Sequence, residues 1–390
     1  MSAQALRSAA VLDDPVEIRL AGREVLSLAL LDARNHLLVR LALDESAPAL
    51  RLALHAAWYQ EHWIACHVQR GRGEACDPAG VRLAGLEPAL ADWLMSEGAL
   101  GPPTPQAVRE LLAQTLEVTL ELLAGTPADD AALYFYRQSL LHEDRLCEAL
   151  DVRRRAGPPP TRAQRDALWL PAQRWRMGAE APARGWVPAN ERGQLEATLP
   201  EFEIDAQPVN WSQFVEFADD GGYDRAELWS AAGWAWAQAL NRRAPLHVEQ
   251  LRGAVVVQRG AKDGAGLQRA APGQAAMHLS RHEAQAWCTW AGRRLATEPE
   301  WELAASTCGS RGFVWGDVFE WVAGSARLWP GAPPPAPGAL DGLPVGTAAA
   351  HGVLRGGSFA TRARWRHLKA RRFAPADSDT MFCGFRSCAM

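Results

Sequence analysis

Apolar positions fall into two textures along the chain. Between residues 22 and 152 they recur at helical spacing. Leu26, Leu28, Leu30, Leu31, Leu37, Leu38 and Leu41, broken by Asp32, Arg34, Arg40 and Asp44, predict a helix over 22–44. A second helix is predicted from about Ala47 to His67, with Leu52, His55, Trp58, Tyr59, Trp63 and Cys66 along one stripe. Thr104-Pro105 supplies an N-cap and a proline at the first helical position of a third, which runs through Leu123 to Gly125. Asp129 or Asp130 caps a fourth that reaches about Val152. Four long amphipathic helices predict a bundle over residues 1–155.

The period fails between residues 156 and 198. Gly157-Pro158-Pro159-Pro160 follows three arginines, and the stretch reads as a linker. From 199 to 390 short segments are punctuated by Gly and Trp. One helix is predicted from Ser280 to Gly292, and a second is opened by Thr297 with Glu300 in a capping box. Pro330 to Gly346 reads as a long surface loop, and no internal repeat is found. The expected fold class is α+β, a helical bundle followed by a loop-rich second domain.

Composition refines this picture. At 390 residues, with roughly 150 per domain, two or three domains are expected. A net charge of -4 gives no basic surplus for nucleic acid, and no apolar run of membrane-spanning length or signal peptide is found. Seven scattered cysteines do not form a disulfide framework, so a cytoplasmic protein is expected. All but three (Trp58, Trp63, Trp93) of the 17 Trp lie after the bundle, whereas the 4 Tyr stand at 59, 134, 136 and 223.

Two histidines carry the candidate chemistry. His55 and His142 lie mid-helix on separate helices, which is how bundles bring imidazoles to a metal; from the residues alone, a hydrogen-bonded core or boundary histidine is the commoner reading of each. His62, seven residues after His55, is about 10.5 Å along the axis, too far to share one ion easily.

Leu54-His55-Ala56-Ala57-Trp58-Tyr59-Gln60-Glu61 and Leu141-His142-Glu143-Asp144-Arg145-Leu146-Cys147-Glu148 resemble the DinB-like domain of the ergothioneine-synthase family. The second half resembles that family's formylglycine-generating-enzyme (sulfatase-modifying-factor, C-type-lectin-like) domain. The carrying segments include Asp220-Gly221-Gly222-Tyr223, Trp290 to Glu302, Trp315-Gly316-Asp317-Val318-Phe319-Glu320-Trp321, Leu354-Arg355-Gly356-Gly357-Ser358 and Gly384-Phe385-Arg386. The segments 58–65, 68–78 and 132–137, with the Cys388 ending, look closer to the selenoneine synthase branch.

The resemblance implies a non-haem iron(II) enzyme that uses O₂ to join sulfur, or selenium from a selenosugar, to the imidazole C2 of hercynine. It implies small-molecule partners, His55 and His142 as metal ligands, and calcium as a further ion in the second domain. It places Arg70 and Arg72 where a carboxylate-bearing donor would be gripped, with solvated surface arginines as the alternative; Arg371 and Arg372 are, from the residues themselves, candidates for an anionic substrate or a charged loop edge.

The chain also departs from the family pattern. The third ligand position is Leu146, and leucine cannot ligate; Glu143 or His62 would replace it only with a shifted backbone. Arg145 stands where a hercynine-contacting Gln is usual, and residues 325–354 hold no Tyr. Phe319-Glu320-Trp321 and Arg371-Arg372-Phe373 replace the usual Trp-Glu-Trp and Asn-aromatic signatures. No cysteine lies in 365–370, where formylglycine-generating enzymes bind copper, so formylglycine formation is not expected. The alternative to catalysis is a binding or scaffold descendant without the iron centre.

Overall fold

The structure, a computed structural model, describes residues 11–68, 104–179, 185–260, 266–340, 342 and 350–390. Four long helices, α1 (Arg23–Leu43), α2 (Ala47–Tyr59), α3 (Pro105–Ala124) and α4 (Tyr134–Arg153), pack into the expected bundle. On α1 the stripe Leu26, Leu30, Ala33, Leu37 and Leu41 is fully buried, whereas Leu28 and Leu31 from the same leucine-rich run face solvent. Thr104 accepts a hydrogen bond from the Ala107 amide, so the predicted cap opens α3. The fourth helix starts later than expected: Asp129 accepts from the Ala132 amide in the turn before it, and α4 itself begins at Tyr134.

The second helix differs from its predicted single span. After Tyr59 it continues as a π-helix over Gln60–Val68, whose wider turn re-aims the side chains that follow. Its α-helical part is buried on nearly every side from Ala49 to Tyr59, because α3 and α4 flank it. A two-sided burial of this kind explains the density of Leu, Ala and Trp there.

The second half is a set of small sheets joined by short helices. Strands β1 (Leu168–Leu170), β4 (Phe202–Ile204), β13 (Ser387–Ala389) and β8 (Arg293–Leu295) form one sheet in the order β1-β4-β13-β8. A second has the order β11-β10-β9-β12, from β11 (Arg371–Pro375), β10 (His351–Arg355), β9 (Phe319–Ser325) and β12 (Cys383–Phe385). A hairpin of β2 (Gln173–Ala179) and β3 (Gly193–Leu199) and a three-stranded β5-β6-β7 sheet complete the strands, the last from Val248–Gln250, Val256–Arg259 and Gly266–Arg269. Residues 156–198, expected as a linker, therefore hold β1, β2 and most of β3. Trp175 and Leu199 on the hairpin pack with Trp301 and Phe313 in the core of the second half. The hairpin was illegible because its outer face is polar and β1 is only three residues long.

Four helices stand between the strands: α5 (Trp211–Asp219), α6 (Ala231–Ala239), α7 (Arg281–Trp290) and α8 (Glu298–Thr307). Capping boxes open three of them, Asn210 with Gln213, Ser280 with Glu283 and Thr297 with Glu300. Among the described residues no helix is long and apolar enough to cross a membrane.

The motifs of the second half meet in its core. Parallel pairing of β12 with β9 sets Gly384 opposite Glu320, which brings Arg386 onto the Glu320 carboxylate at 2.5 and 2.7 Å. Trp301 donates its indole N–H to the same carboxylate at 2.9 Å. Arg386 then donates to the Asp205 and Val314 carbonyls, so both partners of a fully buried ion pair have their polar atoms met. Arg355 likewise donates to Glu302 and to the Leu368 carbonyl.

The two halves are joined by charged and polar contacts. Arg364 grips Asp144 of α4 with two hydrogen bonds, at 2.6 and 3.0 Å, and also reaches Asp32 of α1 at 2.8 Å. Trp365 donates to Asp144, and Ser358 and Thr361 donate to Glu148. Arg19 pairs with Glu191 at 2.7 and 3.0 Å.

Candidate functional site

Helices α2 and α4 bring His55 and His142 together. His55 Nδ1 and His142 Nε2 are 2.8 Å apart, a hydrogen bond in which one ring donates and the other accepts. Both side chains are buried, and their rings meet edge-on at 4.9 Å. Trp58 lies 4.9 Å from the His55 ring and Tyr59 lies 5.0 Å from the His142 ring. The Tyr59 hydroxyl donates to the Gly338 carbonyl at 3.0 Å, tying the aromatic wall to the loop from the second half.

Burial fixes the charge of this pair. It lowers the His55 pKa to about 4, and it lowers His142 well below the ordinary value, with His55 and Arg145 adding to the shift. Both rings are therefore neutral at pH 7, the state in which imidazole offers a lone pair to a metal or accepts a proton.

The rest of α4 is committed to support. Glu143 accepts from Arg34 at 2.5 and 3.2 Å, and Gln60 donates to Glu143 and Ser139 while accepting from Arg34. Burial still raises Glu143 above the ordinary carboxyl pKa, with Arg34 opposing. Leu146, where the resemblance implies a third ligand, is 1% exposed and sits in the apolar core of the bundle with Ala53, Leu54 and Trp58. Cys147 is also buried; burial, then Asp144 and Glu143, push its thiol pKa well up, so it remains a protonated core residue. His62 is exposed and stacks on Trp58 at 5.2 Å.

The fit to a three-imidazole iron site is therefore incomplete. Two nitrogens face each other, the third position is an alkyl group, and Glu143 is held by Arg34. No cluster of three or more His, Cys, Asp or Glu able to hold a metal ion occurs among the described residues. The calcium expected in the second half has no support either.

The four candidate anion-binding arginines have different fates. Arg70 and Arg72 lie outside the described residues. Arg371 is buried and donates to both oxygens of Glu298, at 2.8 and 3.0 Å, and to the Asn190 carbonyl, with its plane 3.8 Å from the Trp329 ring. Its guanidinium holds the second half together. Arg372 lies over the Phe319 ring at 4.5 Å and 3.5 Å from Glu148.

Arg372 and Arg145 come together at the junction of the two halves. They line a small cavity of about 50 Å³ with Asp144, Glu148, Arg362 and Trp365, room for a few waters. They also line a groove of about 810 Å³ that runs along α4. Neither space is lined by His55 or His142. The sequence singled out Arg145 and Arg372 separately. The charge-rich junction itself, with Asp32, Asp144, Glu148, Arg362 and Arg364, was signalled only by alternating arginines at 362, 364 and 366.

Comparison with known proteins bears on both halves. Residues 153–317 match the family model of the Sulfatase-modifying factor enzyme 1-like domain. That match starts at the end of α4 and includes the β2-β3 hairpin. Over 329 residues the chain is 28% identical to the hercynine oxygenase of Mycolicibacterium smegmatis, covering 66% of this chain and 71% of that protein. The hercynine oxygenase of Mycolicibacterium thermoresistibile aligns over 93% of this chain and 94% of its own length at 25% identity. The Inactive C-alpha-formylglycine-generating enzyme 2 of Bos taurus is 32% identical over 192 residues, 45% of this chain and 59% of that protein. The first two relatives extend the likeness into the bundle, and the third is confined to fewer than half the residues.

Proposed function

We propose that this protein is a hercynine-modifying oxidoreductase, joining sulfur or selenium to the imidazole C2 of hercynine with O₂, and that its reaction space lies where α2 and α4 face the second half. The observation that carries this reading is the alignment of a hercynine oxygenase over 93% of the chain, bundle included. The DinB-like reading of the bundle belongs to the same proposal. So does the selenosugar as donor, which rests on the segments 58–65 and 132–137. The stretch 68–78 that also pointed to that branch lies, after Val68, outside the described residues.

What this chain's residues do can be stated without a metal. The neutral pair His55 and His142 presents a proton donor and an acceptor inside an aromatic wall of Trp58 and Tyr59. Such a wall suits both an imidazole ring and a trimethylammonium group. Arg145 and Arg372 supply fixed positive charge at the junction for a carboxylate. Iron(II) is the metal the resemblance implies. Two imidazoles beside Leu146 do not complete its three-nitrogen set, so no step is routed through it here.

A second reading has its own observation in favour. Leu146 and the His55–His142 hydrogen bond are what a binding descendant without an iron centre would show. One experiment separates the two: the full chain is incubated with hercynine, O₂ and iron(II), together with cysteine, γ-glutamylcysteine or a selenosugar, and products are read by mass. A sulfur or selenium adduct at C2 is the expected result, formed only with iron(II) in large excess, since two imidazoles beside Leu146 hold it weakly. Saturable hercynine binding with no adduct from any donor supports the second reading, and no hercynine binding at all overturns both.

A further inference from the structure

One segment of the second half, residues 330–340, reaches across to the aromatic wall of the imidazole pair. Its root is fixed. Trp329 is buried with the Arg371 guanidinium 3.8 Å from its ring, and the Pro330 carbonyl accepts from the Gln194 amide of β3 at 3.0 Å. The strand runs so close beneath that a Cβ on Gly193 would lie 2.7 Å from the same carbonyl oxygen.

The tip lies on the bundle. The Gly338 carbonyl accepts from the Tyr59 hydroxyl at 3.0 Å, and the Tyr59 ring lies 5.0 Å from that of His142. A Cβ on Gly338 would stand 3.1 Å from the Trp63 ring and 3.2 Å from the Phe135 ring, two rings stacked 5.3 Å apart. Gly338 also has φ 71°, so both its backbone and its neighbours call for glycine. Leu340 packs against the bundle core.

Between root and tip the chain is a stiff arm on a joint. Gly331, with φ 73°, is exposed, and so are Pro333, Pro334 and Pro335, whose rings fix the backbone. Among the described residues the backbone of 331–340 bonds to other backbone only in two local turns, Ala332 to Trp329 and Ala339 to Ala336, each at 3.1 Å. His55 and His142 are 1% and 2% exposed, so a molecule must displace part of the wall to meet either ring. Helices α2 and α4 cannot part without opening the bundle core, whereas the tip is held to Tyr59 by one hydrogen bond. Segments with few buried contacts and little regular pairing are the ones that open locally.

We propose that residues 330–340 are a latch, hinged at Gly331, whose tip at Gly338 holds Tyr59 closed over His142, and that its release admits a small molecule to the imidazole pair. The proposal rests on the reading of that pair as the reaction space. The latch governs entry and leaves the chemistry to the pair.

Labelling of the full chain with diethyl pyrocarbonate at pH 7, which acylates neutral imidazole, tests it, with the rate at each histidine read by peptide mass. Gly338→Ala places a methyl group on a left-handed backbone against two rings, and should raise the rates at His55 and His142 about tenfold. Tyr59→Phe keeps the ring and removes only the hydrogen bond to the tip, and should raise them about threefold. His278, 3% exposed in the core of the second half, should keep its wild-type rate in both variants. Unchanged rates at His55 and His142 in either variant, or a rise that His278 shares, would overturn the proposal. Hercynine added during labelling reports on the hercynine reading separately: if the variants expose the pair and hercynine gives it no protection, the latch stands and that reading fails.

Discussion

The core of the second half and the heart of the bundle treat buried polar groups in opposite ways. Around Glu320 every polar atom of the Arg386 and Glu320 side chains has a protein partner, with Trp301, Asp205 and Val314 completing the set. At His55 and His142 two neutral rings share one hydrogen bond beside Leu146. The first arrangement is a finished piece of architecture; the second is a neutral imidazole pair packed beside an alkyl core residue. Segments such as Phe319-Glu320-Trp321 and Gly384-Phe385-Arg386 therefore report the fold, and likeness in them says little about turnover.

The largest effect should come from breaking the finished core. Glu320→Ala leaves the Arg386 guanidinium buried and unpaired, and is expected to cost about 3–5 kcal/mol in urea unfolding, enough to unfold the second half of a marginally stable protein. A loss below about 1 kcal/mol would show that the pair is not the anchor its geometry indicates.

Next in size is the junction between the halves. Asp144 accepts from both Arg364 and Trp365, so Asp144→Ala should cost about 3 kcal/mol and split a single calorimetric transition into two as the bundle uncouples. An unchanged single transition would mean that the apolar contacts of Trp365 suffice to couple the halves.

The imidazole pair should give a pH signature of moderate size. The folded-state pKa of His55 is held near 4, below its unfolded value of about 6.5. Its contribution to stability is therefore present above about pH 6.5 and lost as pH falls toward 4, because the unfolded chain takes up the proton first. Glu283 works in the opposite sense: burial raises its pKa to about 7, so its contribution is complete below the ordinary carboxyl range and is lost as pH rises through 7. Comparing wild type with His55→Gln isolates the first effect; the variant should lose less stability between pH 6.5 and 4.5 in parallel urea series. Equal slopes would contradict the neutral, buried pair.

The smallest effect belongs to the surface. Arg109 and Glu45 pair in the open, both about two-fifths exposed, and Arg109→Ala should change stability by no more than about 0.5 kcal/mol.

The bundle was legible in the sequence because its helices carry their own period and caps: the stripe from Leu26 to Leu41 and Thr104-Pro105 act within one element. The capping boxes at Ser280 and Thr297 were legible for the same local reason. The β2-β3 hairpin was not, since its polar face removes the alternation that marks a strand. The π-helix after Tyr59 left no sign either, since it depends on what packs around Gln60 to Val68. Of the candidate site, His55 and His142 could be placed mid-helix by spacing, and Leu146 was marked only by the family resemblance. The fate of Arg371 could not: pairing with Glu298, 73 residues away in sequence, is a property of the folded second half.

The central claim is that the bundle as it stands does not offer iron a three-imidazole site. Anaerobic titration of the full chain with iron(II), for wild type and for Leu146→His, tests it most directly. The account predicts no tight stoichiometric binding at pH 7 for the wild type and a gain of one tightly held iron in the variant. One iron held tightly by the wild type at His55 and His142, abolished by His142→Ala, would contradict it.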